Sequence, residues 1–567
     1  VKSTEHRDLS IVLAGEAGQG VQTIEHALIH VLKSAGFYVY STGEFMSRIR
    51  GGTNSTEVRV SSRPVNCFVN RIDLLIPLSG GALKHLSGRI CPETVVIGEK
   101  SVAGDDPRIE DVGFTRIAVE AGGKLFANTV AVAVVLSLLR VEPELLSAYL
   151  TARFSRKEPE VLQRNLDAAQ RGAGEGVRLR DTVGAKIVSP SRGGSPDDLV
   201  LDGSEAVALG AIAGGCNFVC AYPMSPGTGV LQSMASHAHD FDMVVEQVED
   251  EIAAINMALG SWYAGGRALV TTAGGGFSLM CEGMSLAGMI ETPVVVLVGQ
   301  RPGPATGLPT RTEQGDLELA VYAGHGDFPR AIYAPGTLQQ AFDLARTAFV
   351  VADKYQVPAI ILGDQSFLDS HAQTPAFDLS ADPVKQYVVA SKSDYVRYAI
   401  TPSGISPRAI PGWGDGIVAV DSDEHTEAGY ITESMDVRSA MVEKRLRKAA
   451  SLMAEVLPPT LVGPEAYENL VVCWGSTYHV VKESLDELGR SDTAMLHFSQ
   501  VYPVHPSALG LISCAKRTVI VENNATAQLA RLLKLHANVD ITRRLLKYSG
   551  MPFAVEEVVA GLMRELS

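Results

Sequence analysis

The feature that most constrains this chain is a series of short runs dominated by apolar residues, at 218–222, 243–247, 268–272, 294–298, 331–333 and 359–362. They read as buried strands. Between them lie stretches with helical spacing, for example 251–263 and 338–355. Continuous apolar strands separated by helices imply a parallel sheet covered on both faces. Open sheets of that kind bind ligands beyond the carboxyl ends of their strands. The residues that follow each run are therefore where chemistry is expected.

The rest of the chain surrounds that sheet with further domains. At about 150 residues per domain, 567 residues predict three to four domains. Strand candidates at 11–14, 38–40, 74–78, 95–97 and 116–119, with helices at 22–34, 128–141 and 143–155, predict one α/β domain over 1–190. A stretch rich in Gly, Ser, Arg and Asp, 171–202, reads as a linker, with 191–203 as its core. The apolar-run domain covers 204–370. Residues 371–464 break the pattern: Pro402, Pro407 and Pro411 sit among glycines, 421–427 is acidic, and 437–454 predicts a basic helix. An irregular interface arm is expected there. Strands at 470–475, 494–498 and 518–522 predict a last small α/β domain over 465–567. The fold class is α/β, with several parallel-sheet domains.

Composition narrows the partners. A net charge of −15 argues against nucleic acid and against an anionic membrane surface. The seven cysteines include no CxxC pair, so no disulfide scaffold, zinc ribbon or other metal site is expected. The first ten residues have no apolar core, and the longest apolar run, 130–139, is about half a membrane span. A cytoplasmic location is expected.

Several motifs could carry chemistry. Gly15-Glu16-Ala17-Gly18-Gln19-Gly20 joins a strand to a helix, where backbone N–H groups can approach a phosphate. Its GxxGxG order differs from the GxGxxG of dinucleotide folds. A tight turn that binds nothing explains it as well, although Glu44 stands at a ribose-binding distance in sequence. Arg50-Gly51-Gly52-Thr53-Asn54 is either an anion loop or a turn with an exposed Arg. In Tyr222-Pro223-Met224-Ser225-Pro226 two prolines stiffen a strand end and fix the Ser225 hydroxyl. Glu246, Glu249 and Glu251 run from a strand into a helix. Acidic residues there cap the dipole, but Glu249 is expected to be partly buried, and a desolvated carboxylate needs a role or a partner. Gly274-Gly275-Gly276 lets something bulky approach the backbone. The loop 300–314 carries Arg301, Thr310 and Arg311 without apolar period, which favours anion binding.

In this order and spacing, Tyr-Pro-Met-Ser-Pro, Val-Glu-Asp-Glu-Ile-Ala-Ala-Ile, Thr-Ala-Gly-Gly-Gly-Phe-Ser-Leu-Met and Gly-Leu-Pro-Thr-Arg-Thr-Glu-Gln resemble the α subunit of 2-oxoacid:ferredoxin oxidoreductases, most closely the 2-oxoglutarate type. GEAGQGV and RGGT resemble the family's γ component, here fused ahead of α. VVCWGSTYHVVKESLDEL and VIVENNATAQLARLL resemble its transketolase-C-terminal-like domain. The resemblance implies a pyrimidine-type thiamine-diphosphate domain over 204–370. It gives Glu249 the family's catalytic role, hydrogen-bonding the aminopyrimidine ring, and lines the cofactor with Tyr222, Pro223, Gly274 and Gly275. It assigns substrate contacts to Ser225, Thr310 and Arg311, and coenzyme A to Gly18, Gly20 and Arg50; a dicarboxylic substrate needs a second cation for its distal end, for which Arg301 in the same loop and a residue of the family's β subunit are the two candidates. Ser225 and Met224 stand where the family has Thr and Ile.

The implied reaction converts 2-oxoglutarate, coenzyme A and oxidised ferredoxin to succinyl-CoA, carbon dioxide and reduced ferredoxin. Run in reverse, it is carbon fixation by the reductive tricarboxylic acid cycle. Pyruvate or another 2-oxoacid is the alternative substrate; an NAD(P)-linked oxidoreductase is the remote one. The chain lacks a Cys-rich cluster motif and the GDG…N motif for diphosphate and Mg²⁺. The resemblance therefore implies a β subunit that carries Mg²⁺ and an iron–sulfur cluster, shares the thiamine diphosphate, docks ferredoxin and assembles as (αβ)₂.

Overall fold

The computed structural model of the protein describes residues 8–16, 18–46, 52–184, 186–380 and 383–567. They form two compact units. One ends at Leu201 and takes in Ser370–Ala376; the other comprises Asp202–Asp369 and Phe377–Ser567.

The first unit is built on an eight-stranded sheet. Asp8–Glu16 runs parallel to Leu74–Pro77 and antiparallel, along its whole length, to Thr53–Ser61. Tyr38–Glu44 pairs antiparallel with the far side of Thr53–Ser61. The sheet is thus mixed rather than purely parallel. Residues 116–119 are not a strand but part of the helix Phe114–Glu120. Four residues are too few to reveal a 3.6-residue period. The predicted linker also starts too early, because Pro159–Val183 is a 25-residue helix. Its glycines are packing residues: a Cβ on Gly172 would come within 2.7 Å of the Val130 carbonyl, and one on Gly176 within 2.6 Å of Ser137 Cβ. They let this helix press on Ala127–Leu138. The end of the stretch, Leu199–Asp202, joins the sheet as a strand.

The second unit holds a seven-stranded sheet in the order Gln500–Tyr502, Ala331–Tyr333, Pro358–Asp364, Val294–Gln300, Ala268–Ala273, Phe218–Ala221, Val244–Gln247. All pairs are parallel except that of Gln500–Tyr502, contributed by the C-terminal segment. Every residue of Val294–Gln300 and Pro358–Asp364 is buried, as a sheet covered on both faces requires. Val244–Gln247, expected to be buried, is instead a largely exposed edge strand. The C-terminal domain is a five-stranded sheet around Asn469–Trp474, flanked by Thr493–Phe498 and Arg517–Glu522.

The irregular arm is pinned to the seven-stranded domain by buried charge. Asp353 pairs with Arg267 and Arg408, and Glu291 with Lys444 and Lys448. The helix Met435–Met453 thus spends part of its basic character inward, with Arg445 bound to Glu424.

Candidate active site

Three parallel strands of the second unit, Phe218–Ala221, Ala268–Ala273 and Val294–Gln300, end side by side, and their following turns build one cluster. The turn after the first is packed down hard. A Cβ on Gly227 would lie 2.7 Å from the Thr272 carbonyl, and one on Gly299 2.7 Å from the Gly227 nitrogen. Ser225 and Tyr222 face outward from this turn. The Ser225 carbonyl accepts a hydrogen bond from Arg301 Nη1 at 2.8 Å.

The acidic run resolves differently from expectation. Asp250 is the N-cap: its backbone is extended and its side chain accepts from Ala253 N at 2.7 Å. The helix therefore begins at Glu251. Glu249 lies before the cap and is exposed, as is Glu246. Glu251 is 4% exposed, and its Oε1 has no hydrogen-bond partner. The carboxylate rests where Gly276 leaves room, since a Cβ there would strike both Glu251 Oε1 and Thr272 Oγ1. The buried, orphaned acid is thus two residues beyond the one that the strand-to-helix junction suggested.

Arg301 is 8% exposed. Burial lowers its hold on a proton, and the nearby carboxylates of Asp316 and Glu251 oppose that fall. Asp316, which the sequence reading missed, lies against Gly274: a Cβ on that glycine would collide with both carboxyl oxygens. Its Oδ2 is buried without a partner. Its backbone N–H is fixed by Gln300 Oε1 at 3.1 Å. Burial pushes the Asp316 carboxyl up to about 7; Glu313 pushes the same way and Arg301 opposes.

The loop between Arg301 and Asp316 is clamped from the C-terminal domain. Gln314 N donates to Asn523 O at 2.7 Å, Asn523 N donates to Gln314 Oε1 at 2.9 Å, and Gln314 Nε2 donates to Trp474 O at 2.8 Å. Thr312 N donates to Gly550 O at 3.1 Å, and its hydroxyl to Asp364 Oδ1 at 2.9 Å. Arg311 and Thr310 stand on this clamped stretch, with the Arg311 stem against Gly550. The structure thus gathers Ser225, Arg301, Glu251, Gly274 and Gly276 at the strand ends, and sets Arg311 where the loop meets the C-terminal domain.

The N-terminal glycine loop belongs to the first unit. Gly15 pairs with Asn54 and Glu16 with Thr53, so the two loops singled out in the sequence are neighbours. Gly20, at φ 78°, is glycine because a Cβ would strike the Asn128 amide; Gly18, at φ 89°, has nothing within 4 Å. Arg50 lies outside the described residues. The dinucleotide reading is corrected by topology. Tyr38–Glu44 is separated from Asp8–Glu16 by the antiparallel Thr53–Ser61, so Glu44 does not end the adjacent parallel strand that such a fold requires. Glu44 instead accepts from Ser55 Oγ at 3.3 Å and lies 3.2 Å from His85 Nε2.

Among the described residues no group of three or more His, Cys, Asp or Glu is arranged to hold a metal ion, and no helix is long and apolar enough to cross a membrane. Gly414-Asp415-Gly416 shares three letters with the thiamine diphosphate–Mg²⁺ motif. It is a turn held by Ser391, and the next asparagine in the chain is Asn469.

Residues 209–444 match the family described as pyruvate flavodoxin/ferredoxin oxidoreductase, thiamine diP-binding, and residues 10–175 match pyruvate ferredoxin/flavodoxin oxidoreductase. The 2-oxoacid:ferredoxin oxidoreductase subunit alpha of a Sulfolobus species is 30% identical over 98% of this chain and 96% of that protein. The 2-oxoglutarate synthase subunit KorA of Archaeoglobus fulgidus is 31% identical over 59% of this chain and 89% of its own length. Among solved structures, the 2-oxoglutarate:ferredoxin oxidoreductase from Magnetococcus marinus, with 2-oxoglutarate, coenzyme A and succinyl-CoA bound, aligns with a TM-score of 0.92 at 29% identity, over 99% of this chain and 100% of that one.

Proposed function

The chain belongs to the 2-oxoacid:ferredoxin oxidoreductase family as an α subunit, and we propose that with a β subunit it oxidises 2-oxoglutarate and coenzyme A to succinyl-CoA, carbon dioxide and a proton, passing two electrons to ferredoxin. The observation that carries this is the orphaned, buried Glu251 carboxylate under Gly276, beside Arg301 and the Ser225 turn. A desolvated carboxylate without a partner is expensive unless a ligand completes it. An aminopyrimidine ring suits it, because a ring nitrogen can share a proton with Oε1. These residues fit thiamine diphosphate, which when bound supplies the electron sink for decarboxylation.

Glu251 takes the proton-sharing role that the resemblance first gave to Glu249. Arg301, anchored at Ser225 and adjacent to Glu251, holds the carboxylate beside the reacting carbonyl, and the Ser225 hydroxyl adds one directional bond. Arg311, further along the loop, serves the distal carboxylate, with Thr310 beside it. This reverses the roles first read for the two arginines. Two cations in one loop support a dicarboxylic substrate over pyruvate. Tyr222, Pro223, Gly274 and Gly275 line the cofactor. Gly18, with open space around it at a helix N-terminus, is the coenzyme A contact retained from the first unit. Mg²⁺, the iron–sulfur cluster and the ferredoxin-docking face belong to β, in an (αβ)₂ assembly in the cytoplasm. The same complex runs in reverse when reduced ferredoxin and carbon dioxide are in excess, as in the reductive tricarboxylic acid cycle.

The test is viologen reduction by the chain co-expressed with its β subunit, dependent on 2-oxoglutarate and coenzyme A. Glu251→Gln removes a positioned proton-sharing group and lowers kcat by about 10²–10⁴-fold. Glu249→Gln, at an exposed position, leaves more than half. The opposite ranking returns the role to Glu249, and a wild-type complex that turns over no 2-oxoacid refutes the reading.

A further inference from the structure

The run VIVENNATAQLARLL ends the strand Arg517–Glu522 and opens the helix Gln528–Ala537. That helix has Ala527 as its N-cap, a residue without a polar side chain. Glu522, fully buried, does the capping instead. Its carboxylate accepts from Leu529 N at 3.0 Å and Ala530 N at 3.1 Å, and from Trp474 Nε1 at 3.1 Å. This fixes Gln528, the first helical residue, in place. The Gln528 amide reaches the end of the arginine loop and bonds twice. Its Nε2 donates to Gly315 O at 2.8 Å, and its Oε1 accepts from Glu318 N at 3.0 Å. Glu318 N is a first-turn donor of the helix Leu317–Tyr322, whose own N-cap, Asp316, makes no side-chain cap bond. Gln528 thus caps that helix from 210 residues further along the chain.

The two ends of the loop are held differently. At its entry Arg301 follows a buried strand and bonds to Ser225 O. At its exit Gln528 holds Gly315, while Asn523 and Asn524 hold Gln314. Arg311 lies three residues before Gln314, and residues 303–308 ahead of it are exposed. A loosened exit therefore displaces Arg311 and leaves Arg301 where it is. We infer that Gln528 is a positioning residue for substrate specificity: it holds the loop exit so that Arg311 meets the distal carboxylate of 2-oxoglutarate. The inference rests on the functional reading above, which gives that carboxylate to Arg311, and deepens it. Without the two bonds the substrate has to order the loop exit as it binds, and affinity falls by that cost. Two hydrogen bonds of ordinary net strength predict a KM for 2-oxoglutarate raised about three- to tenfold. A substrate without a distal carboxylate makes no use of Arg311 and is indifferent to the exit. The rate at saturation changes little, because Glu251 and Arg301 stay in place.

The experiment measures kcat and KM for 2-oxoglutarate, pyruvate and 2-oxobutyrate on the complex with β at saturating coenzyme A, with Tm on the same preparations. The variants are Gln528→Ala, Gln528→Met, Arg311→Ala and the double variant Gln528→Ala with Arg311→Ala. Gln528→Met fills nearly the same space without either bond. Both Gln528 variants raise KM for 2-oxoglutarate about three- to tenfold, keep kcat near wild type and leave the two monocarboxylic substrates unchanged. In the double variant the Gln528 change adds nothing to the loss caused by Arg311→Ala, as expected of two residues that act on one contact. A loss shared by all three substrates, a wild-type KM in either Gln528 variant, or additive losses in the double variant overturns the inference and leaves the functional reading standing. An Arg311→Ala complex with unchanged kcat/KM for 2-oxoglutarate, or a wild-type complex without turnover on any 2-oxoacid, refutes the functional reading and the role of Gln528 with it.

Discussion

Adding one methyl group at Gly276 separates the position of the Glu251 carboxylate from its presence. In Gly276→Ala the new Cβ would overlap Glu251 Oε1 and Thr272 Oγ1, both side-chain atoms. The tips of side chains yield more easily than backbone, so the fold survives, at an overpacking cost of about 1–3 kcal/mol. The atom that yields is the one that matters. Restoring ordinary contact moves the carboxylate by roughly 1 Å, and a displacement of that size costs about 10²-fold in rate, which is about 2.7 kcal/mol of barrier. Gly275→Ala is the contrast, because its Cβ would meet only the Ala305 carbonyl at 3.6 Å, an ordinary contact. The assay is the rate of viologen reduction at saturating 2-oxoglutarate and coenzyme A, with thiamine diphosphate affinity and Tm measured on the same preparations. Gly276→Ala loses about two orders of magnitude in kcat and stays folded, with a Tm lowered by about 2–4 °C per kcal/mol of overpacking, and Gly275→Ala loses much less. Equal rates in Gly276→Ala and wild type would show that Glu251 Oε1 does no work at this position.

Arg301→Ala lowers kcat/KM for 2-oxoglutarate, pyruvate and 2-oxobutyrate alike, by about one to two orders of magnitude for a charge-assisted bond of roughly 1.5–3 kcal/mol; Arg311→Ala hurts 2-oxoglutarate alone, and the reverse pattern on this panel swaps the two roles. Gly172→Ala, which would press on the Val130 carbonyl at 2.7 Å, lowers the Tm of the first unit, whereas Gly174→Ala, with nothing within 4 Å, raises it; two variants without effect would mean that this stretch is a linker after all. Glu291, fully buried, is held down to about 2 by Lys448, Lys444 and Arg397 against the opposing effect of burial. Its contribution is full above the unfolded value near 4.5 and is lost as pH falls toward about 2. The Tm deficit of Glu291→Gln, large at pH 7, therefore shrinks across that window, and a constant deficit would assign it to packing.

The parallel sheets were legible because continuous apolar runs admit few other folds. The errors came where one residue type serves two physical ends. Gly172 and Gly176, which suggest flexibility, are glycine because the Val130 and Val134 carbonyls would lie 2.7 Å from any Cβ placed there. A glycine that breaks an isolated helix is the residue that lets two helices touch. The exposed face of Val244–Gln247 was hidden by a different confusion. Apolar composition reports burial in the whole assembly, and an edge strand of one chain is covered only if something else lies on it.

The cluster itself was half legible. Glu251 opens the helix after Val244–Gln247, whereas Arg301 and Asp316 open and close the loop after Val294–Gln300, and no spacing rule links the glutamate to that loop; the parallel sheet brings them together. Within the acidic run the outcome hangs on which residue caps the helix. With Asp250 in the N-cap, Glu251 is the first helical residue and turns under Gly276, whereas Glu249, still in the connecting segment, points outward. At about 100° per residue, a boundary error of two positions is enough to exchange the inward and the outward carboxylate. The loop that carries the arginines was visible as a loop, but its order was not. That order is set by Gln314 bonding to Asn523, a partner 209 residues further along the chain. Long-range clamps of this kind leave no local pattern, and here one fixes the segment that follows Arg311. The C-terminal domain therefore sets the order of the loop that carries both arginines.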